Sequence, residues 1–284
     1  MFDSLQLLQP TTIAEASSAL AEYGEGARIY AGGAELLLLI RQRMLDAEVL
    51  IDIKKISRLK GVSRENGSLR IGACVTHSAL AHDAQVREHA APFAYAESQV
   101  ANIRVRNQGT LGGNLCFNDP HSDPGTVLLT YDASVTVGSA SGERKMPLSE
   151  FFVDMYATAV ALGEILLDVE IPPLPAGMKS TYLRLHRYQR PTLGVAAAVK
   201  LKNGAIEDVR LAVGCVSPKA QRLTELEEKL SGAALGDGEK IIMEQKKPLR
   251  DLLRPVDDLL GSAEYKLYMT GVFLRDALRQ AAAG

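Results

Sequence analysis

Two glycine-rich segments carry the residues that could bind a ligand. The first, residues 31–36, reads Ala-Gly-Gly-Ala-Glu-Leu, and the second, residues 109–125, places Gly109, Gly112 and Gly113 among short polar side chains. Glycine has no Cβ, so its backbone can adopt positive φ and approach a ligand closely, with N–H groups directed at an anion. We therefore expect the two segments to bind one long, phosphate-bearing cofactor at two points.

Other residues near these segments favour a ligand site over a simple turn. A lone glycine pair is more often a tight turn than a phosphate site. Two such segments in this order, accompanied by Thr76 and Asp123, favour a cofactor. The leucine-rich run at residues 35–40 predicts a helix with a buried face, so only its first residues are assigned to the ligand.

The remaining reactive side chains form no catalytic constellation. His77 and His121 have no nucleophile or paired carboxylate at motif spacing, so hydrogen bonding or capping is favoured over acid–base catalysis. Cys116 fits a small core residue better than a nucleophile. Asp119 and Asp123 flank Pro120 and do not suit two metal ligands on one helix face.

Composition limits the class of protein. The 284 residues include 32 basic and 34 acidic side chains, a balance that does not predict binding to nucleic acid or to anionic membranes. No apolar run is long enough for a membrane span, and the first residues do not read as an export signal. Cys74, Cys116 and Cys215 are widely spaced and predict neither disulfides nor a metal site, which favours the cytoplasm.

Periodicity and turn residues predict the elements that would position the two segments. Thr11 or Thr12 caps a helix that ends near Gly24, with Glu15 in the capping-box position. We predict an N-terminal lobe at residues 1–57, with strands at 28–33 and 49–53 and a helix at 35–43.

A second lobe and a C-terminal domain follow. The second lobe, residues 58–175, has hairpin turns at 66–67 and 139–142, a helix at 86–105 and a strand at 162–172. The Pro-rich stretch at 172–177 predicts a linker. The domain at 178–284 is predicted to have strands at 180–185, 194–201 and 206–216 and helices at 219–230, 241–250 and 263–282. The fold class is α+β.

Several stretches together resemble the flavin-binding medium subunits of molybdenum hydroxylases, relatives of carbon monoxide dehydrogenase and xanthine dehydrogenase. They are residues 31–36, 71–77, 103–114, 118–123 and 163–172. The resemblance covers essentially the whole chain. It implies a two-lobed PCMH-type (vanillyl-alcohol-oxidase-like) FAD-binding domain, followed by a C-terminal three-stranded antiparallel sheet with helices.

The resemblance implies that FAD binds non-covalently between the two N-terminal lobes, with no catalytic residue and no metal ligand on this chain. Backbone N–H groups would bind the two phosphates without a formal cation. Asp123 would bind hydroxyls, Leu166 would lie near the isoalloxazine, and Arg184 would stabilise the anionic reduced flavin. The implied cofactor residues are Ile29, Tyr30, Ala31, Gly32, Gly33, Ala34, Glu35, Leu36, Thr76, His77, Gly109, Thr110, Gly112, Gly113, Asn114, Asp123, Leu166 and Arg184.

The family further implies two partner subunits in a dimer of heterotrimers. A large subunit with the molybdenum cofactor would oxidise a purine, an N-heterocycle, an aldehyde, carbon monoxide or an aromatic thioester. A small subunit with two [2Fe-2S] clusters would relay electrons through FAD to an external acceptor. The alternatives are a stand-alone FAD-dependent oxidoreductase and a flavin-free scaffold.

Departures from the family pattern concern the electron-acceptor side. Residues 190–198 replace the Asp-x-Ala stretch that relatives often carry. The basic cluster Arg184, His186, Arg187 and Arg190 is either a solvated strand face or a contact with the flavin edge and a partner. Three scattered cysteines do not supply the four thiolates of an additional iron–sulfur cluster.

Overall fold

The computed structural model describes residues 5–186 and 190–284. The N-terminal lobe is a three-stranded parallel sheet in the order β1-β3-β2, formed by β1 (Gln6–Leu8), β2 (Ala27–Tyr30) and β3 (Val49–Asp52). Two helices make the crossover connections, α1 (Ile13–Tyr23) and α2 (Leu36–Arg41). Helices are needed here because neighbouring parallel strands cannot be joined by a tight hairpin, so the chain must cross back to the same end of the sheet.

Helix α1 begins and ends where the sequence predicts. Thr12 Oγ1 accepts from the Glu15 backbone N–H at 3.2 Å, and the Glu15 carboxylate accepts from the Thr12 N–H at 3.3 Å. These two bonds form the predicted capping box. Gly24 follows the helix with φ 51°, a conformation that glycine adopts at little cost.

The second lobe is an antiparallel five-stranded sheet in the order β4-β5-β10-β6-β7. Its strands are β4 (Val62–Glu65), β5 (Ser68–Gly72), β6 (Ser134–Ser139), β7 (Gly142–Pro147) and β10 (Ile165–Ile171), and a separate ribbon pairs β8 (Phe152–Asp154) with β9 (Ala157–Thr158). Asn66 and Gly67 have φ of 50° and 84°, as the two central residues of a tight hairpin require. The predicted turns at 66–67 and 139–142 are confirmed.

Short helices occupy the chain between β5 and β6 and after β7. They are α3 (His77–His82), α4 (Ala84–His89), α5 (Ala91–Gln99), α6 (Ile103–Gln108), α7 (Leu111–Phe117), α8 (Pro124–Thr130) and α9 (Leu148–Phe151). The single helix predicted at 86–105 is therefore wrong. Pro92 starts a new helix after Ala90, and Asn102 caps α6 by accepting from the N–H groups of Arg104 and Val105.

The C-terminal domain packs a meander against a layer of helices. Its strands are β11 (Lys179–His186), β12 (Pro191–Lys202), β13 (Ala205–Gly214) and β14 (Gln221–Arg222), and its helices are α10 (Thr224–Leu230), α11 (Leu235–Glu244), α12 (Lys246–Leu253) and α13 (Ala263–Ala283). The sheet has four strands and not the predicted three, because β14 adds a two-residue edge. Helix α10 begins at Thr224, after this extra strand, and not near Lys219 as predicted.

Strand β12 is buried on both faces. Val195, Ala197 and Val199 belong to the core beneath the C-terminal helices, whereas Ala196 belongs to the core of the second lobe. This alternation follows from the period of two along a strand. Where β13 faces the second lobe, a Cβ on Gly214 would lie 2.1 Å from Thr126 Oγ1. The C-terminal domain is therefore packed closely on the second lobe.

No helix in residues 5–186 or 190–284 has the length and apolar character needed to cross a bilayer.

Candidate functional site

A cavity of about 770 Å³ lies where the two N-terminal lobes meet, with the start of β12 at its edge. This volume is in the range of cofactor sites, and most of its wall is apolar. All the predicted cofactor residues except Tyr30, Thr76 and Arg184 line it. The structure therefore brings both glycine segments to one site, as the sequence predicts.

The two glycine segments touch each other at Gly32. A Cβ at this position would lie 2.2 Å from the Gln108 carbonyl oxygen and 2.8 Å from Gly109 Cα. Such distances are far below van der Waals contact, and both neighbours are backbone atoms. Glycine at position 32 is thus required for the approach of the segments, whether or not a ligand is bound.

The first segment presents backbone N–H groups without protein acceptors. The N–H groups of Gly32, Gly33, Ala34 and Glu35 make no hydrogen bond within the described residues. Gly33 has φ 72°, and such a left-handed residue in a turn directs successive N–H groups towards one point. This is the arrangement expected for binding an anion.

Lys54 stabilises the first glycine segment through three interactions of its ammonium group. Its Nζ donates to the Ala31 carbonyl oxygen at 3.1 Å, forms an ion pair with Asp52 at 2.8 Å and lies 3.5 Å from the centre of the Tyr30 ring. A Cβ on Gly33 would lie 2.3 Å from this same ring. Tyr30 therefore supports the turn and is not among the residues that line the cavity, and its predicted contact with the cofactor stays a prediction.

The second segment differs from the prediction in its backbone. Gly109 has φ −63°, and Gly112 and Gly113 lie in α7 without positive φ. The N–H of Gly112 donates to the Ala73 carbonyl oxygen at 2.9 Å, and that of Gly113 to Thr110 Oγ1 at 3.1 Å. The predicted cage of free N–H groups is wrong here.

Close packing explains these glycines. A Cβ on Gly112 would lie 2.6 Å from the Ala73 Cβ, so the glycine lets α7 pack directly on the end of β5. The segment can still offer polar side chains to a ligand. Thr110 is an N-cap whose hydroxyl hydrogen remains available, and Asn114 Oδ1 accepts from Ser122 Oγ at 2.6 Å, which leaves the Asn114 amide hydrogens for donation.

Asp123 and Arg184 contact each other. Asp123 Oδ1 accepts from Tyr182 Oη at 2.6 Å and from Arg184 Nε at 2.8 Å. Burial raises the pKa of Asp123, while Arg184 and Tyr182 act in the opposite direction. Asp123 lines the cavity, but Arg184 is buried in this pair and does not. The predicted contact of Arg184 with the flavin stays a prediction, and in this structure Arg184 adjoins the cavity through Asp123.

Leu166 lines the cavity from a distorted part of β10. The pairing register between β10 and β6 shifts between Leu166 and Asp168, which turns the strand locally. The buried Asp168 carboxylate is held by Arg58 Nη1 at 2.6 Å and by Arg70 Nη2 at 2.9 Å. These ion pairs fix the bulge that presents Leu166 to the cavity.

His77 lies at the cavity wall and forms a buried hydrogen bond with Glu97. Its Nδ1 is 2.5 Å from Glu97 Oε2, and its backbone N–H donates to the Gly109 carbonyl oxygen at 3.1 Å. Burial raises the pKa of Glu97, and His77 opposes this effect. The preceding Thr76 caps α3 by accepting from the Ala79 N–H and is not among the residues that line the cavity, so its predicted contact with the cofactor stays a prediction.

The mouth of the cavity carries charged and aromatic side chains. Arg190 Nη2 donates to Asp119 Oδ2 at 2.7 Å. Burial raises the pKa of Glu35, the Asp119 charge adds to this effect, and Arg190 opposes it. Of the basic cluster noted in the sequence, Arg184 is buried, His186 and Arg190 are exposed, and Arg187 lies outside the described residues.

Helix α2 is not the buried helix that its leucines predict. None of its residues is buried, and Leu38 is 46% exposed. Leu36, Leu38 and Leu39 line the cavity instead. Sequence patterns do not separate a protein core from an apolar cavity wall, because both select the same residues.

Sequence reasoning missed two residues that shape the site. The sequence did not indicate a role for Glu97, because Glu97 and His77 are twenty positions apart. The two residues meet only because α3 packs on α5. Tyr156 lines the cavity with its ring centre 5.0 Å from that of Phe117 and has φ 55°. Its local sequence has no glycine or asparagine that would have indicated such a backbone.

Comparison with known proteins identifies the family of both parts of the chain. Residues 3–174 match the family described as "FAD binding domain in molybdopterin dehydrogenase". Residues 182–281 match the "CO dehydrogenase flavoprotein C-terminal domain".

Individual relatives match this chain over almost their full length. The carbon monoxide dehydrogenase medium chain of Hydrogenophaga pseudoflava is 28% identical over 96% of this chain and 95% of its own. The nicotine 6-hydroxylase medium subunit of Paenarthrobacter nicotinovorans is 30% identical over 99% of this chain and 98% of its own.

The fold agrees as well. A solved structure of the Hydrogenophaga pseudoflava carbon monoxide dehydrogenase superposes with a TM-score of 0.93 at 29% identity, covering 98% of this chain and 97% of that one. The predicted fold class is confirmed. The chain therefore belongs to the family of FAD-binding medium subunits of molybdenum hydroxylases, which are oxidoreductases.

Proposed function

We propose that this chain takes electrons from the [2Fe-2S] clusters of a small partner subunit and passes them through FAD to an external acceptor. The observation that carries the proposal is the cavity where the two glycine segments meet, with the unpaired N–H groups of residues 32–35 in its wall. FAD, when bound, supplies the ability to accept and release electrons. The protein provides the position and surroundings of that group.

The residues at the cavity fit FAD in their chemistry. The N–H groups of the first segment and the side chains of Thr110 and Asn114 would bind the pyrophosphate, and Leu166 would pack against the isoalloxazine. Asp123 has acceptor oxygens for hydroxyl groups. The apolar wall excludes water from the remaining surface of the cofactor.

Non-covalent binding is supported by the protonation of Cys116, a thiol in the cavity wall. Cys116 lines the cavity, and burial raises its pKa to about 12. It is therefore a neutral thiol at physiological pH and a poor nucleophile. We propose that FAD is released intact by acid or heat.

The partners are proposed from the relatives, which are named as medium chains or medium subunits. A large subunit would contain the molybdenum cofactor and perform the chemistry on the substrate. We propose a dimer of heterotrimers located in the cytoplasm.

Purification of the chain from its own cell, without dissociating its partners, tests the proposal. The preparation should be yellow, release FAD on acid treatment, and contain a small iron–sulfur chain and a large molybdenum-containing chain. FAD without these partners would favour a stand-alone oxidoreductase. Absence of both flavin and molybdenum would overturn the proposal.

A further inference from the structure

His77 and Glu97 form a buried pair beside the cavity. His77 is 2% exposed and Glu97 is fully buried. Glu97 Oε2 is bonded to His77 Nδ1, whereas Oε1 has no hydrogen-bond partner among the described residues. An unsatisfied carboxylate oxygen in the interior is costly, so the pair is expected to serve a purpose beyond tying α3 to α5.

Burial favours a pair with no net charge. A Glu97 carboxylate beside a neutral imidazole would place a net negative charge in the interior, where desolvation penalises it and the nearby Asp123 repels it. With one additional proton the pair is neutral. That proton can reside on Glu97 or on the imidazole, because Nδ1 and Oε2 are 2.5 Å apart and share one hydrogen bond.

The neutral pair is expected to leave a hydrogen on Nε2 of His77. The one arrangement without it would put the acid hydrogen on Glu97 Oε1, where no described residue accepts it, so that arrangement is disfavoured. If the imidazole is fully protonated, both ring nitrogens carry hydrogen. If Glu97 carries the proton and donates to Nδ1, the imidazole hydrogen is on Nε2. In either state Nε2 is a hydrogen-bond donor, and no described residue accepts from it.

The Nε2 edge of the ring lies at the junction of the glycine segments. His77 lines the cavity, and a Cβ on Gly109 would lie 3.1 Å from its Cδ2 and 3.3 Å from its Nε2. Gly109 in turn contacts Gly32, where the segment with unpaired N–H groups begins. His77 and the first glycine segment therefore both adjoin Gly109 and line the same cavity.

We propose that the His77–Glu97 pair supplies a hydrogen-bond donor, Nε2–H, to a pyrophosphate oxygen of FAD. His77 binds the cofactor directly, and Glu97 is a positioning residue that acts through the imidazole. The inference rests on the proposed function, because it needs FAD in this cavity. The phosphate site then contains a pair that holds a proton, in addition to the backbone N–H groups expected from the sequence.

FAD titration of the deflavinated full chain, followed by quenching of flavin fluorescence, tests the proposal. His77→Phe should weaken FAD binding by about tenfold to hundredfold, the effect of losing a hydrogen bond to a charged group. His77→Gln, whose amide N–H extends as far as Nε2, should restore most of the affinity, whereas the shorter His77→Asn should not. His82→Phe, an exposed histidine on the same helix, is the matched control and should bind like the wild type.

Two further measurements separate this role from a structural one. Glu97→Leu, which removes the partner of Nδ1, should weaken binding in the wild-type background and have no additional effect in His77→Phe. The ³¹P resonances of bound FAD should shift in His77→Phe while its visible absorption band stays in place.

Each opposite result is informative. Equal affinities of wild type, His77→Phe and His77→Asn would overturn the inference and leave the proposed function intact. A shifted visible band with unchanged ³¹P resonances would place the contact on the flavin ring and also overturn it. Should His77→Phe fail to fold, the comparison of His77→Gln with His77→Asn decides. A wild-type chain that binds no FAD would overturn the proposed function itself.

Discussion

Gly32 determines how closely the two glycine segments approach. An alanine Cβ would lie 2.2 Å from the Gln108 carbonyl oxygen, so the segments would have to separate. We expect Gly32→Ala to lower the unfolding free energy by about 1–3 kcal/mol, the usual cost of overpacking. FAD binding should weaken by at least tenfold, because the cavity wall is displaced. Urea unfolding and FAD titration measure the two effects.

Gly236 provides the matched control for this substitution. It lies in α11, and a Cβ there would meet no atom within 4 Å. Gly236→Ala should be neutral or stabilising, by up to about 1 kcal/mol, because alanine favours the helix. Similar losses in both variants would show that the contact at Gly32 has no special importance.

A pH prediction follows from Glu164, which lines the cavity. Arg144 donates to its two carboxylate oxygens at 2.7 and 2.6 Å, and these bonds lower the pKa of Glu164 below its ordinary value of 4.5. The stabilisation is therefore complete above about pH 4.5 and is lost as the pH falls through the lower pKa of the folded protein.

Glu164→Gln should be less stable than the wild type at pH 7, and the difference should shrink below pH 4.5. Thermal unfolding at a series of pH values measures it. Glu170→Gln, which breaks a single bond to Lys145 at 2.6 Å, is the control and should lose less at pH 7. A difference that grows on acidification would contradict the account.

The sequence identified the glycines that shape the cavity, but not always the physical reason why each must be glycine. Gly33 has the positive φ that was expected, whereas Gly112 packs against Ala73 and has none. The absence of a Cβ makes room for a nearby ligand and for a nearby protein segment alike, so the sequence does not distinguish the two. The cofactor roles of Tyr30 and Arg184 stay predictions, and the sequence did not indicate that each side chain has a protein partner distant in sequence.

Among the elements, the β8–β9 ribbon is held in place by one asparagine. Asn118 Nδ2 donates to the carbonyl oxygens of Asp154 at 2.7 Å and Ala157 at 3.1 Å. Asn118 itself has φ 47°, a conformation that asparagine and glycine tolerate. These bonds place Tyr156 against Phe117 at the cavity wall.

Asn118→Gly keeps the backbone conformation accessible and removes both bonds. We expect a loss of about 1–3 kcal/mol in unfolding free energy and a weaker affinity for FAD, since Tyr156 is released. Asn203→Gly, at an exposed turn with φ 53°, is the control and should change neither quantity. Equal stability of the two variants in urea would refute a positioning role for Asn118.

Elements set by local chemistry were predictable, such as α1 with its capping box and the turn at 66–67. The break between α4 and α5 was missed because a continuous apolar pattern crosses Pro92. The lobe boundary at 57/58 and the domain boundary near 175–178 stay predictions. The three main sheets occupy residues 6–52, 62–171 and 179–222, which supports them.

At the scale of the whole molecule, β12 joins the C-terminal domain to the cofactor-binding part. Its alternate residues contribute to two different cores, and its first residue, Pro191, lines the cavity. The overall fold followed from the resemblance, and the comparisons confirm it. The electron path and the partner subunits were inferred in the same way and remain proposals, because they depend on surfaces of other chains.

The stoichiometry and affinity of FAD binding test the central claim most directly. Titration of the deflavinated full chain should saturate at one FAD per chain, and Gly32→Ala should bind FAD at least tenfold more weakly while Gly236→Ala binds it like the wild type. A wild-type chain that binds no FAD, or a Gly32→Ala variant that binds it as tightly as the wild type, would contradict the account.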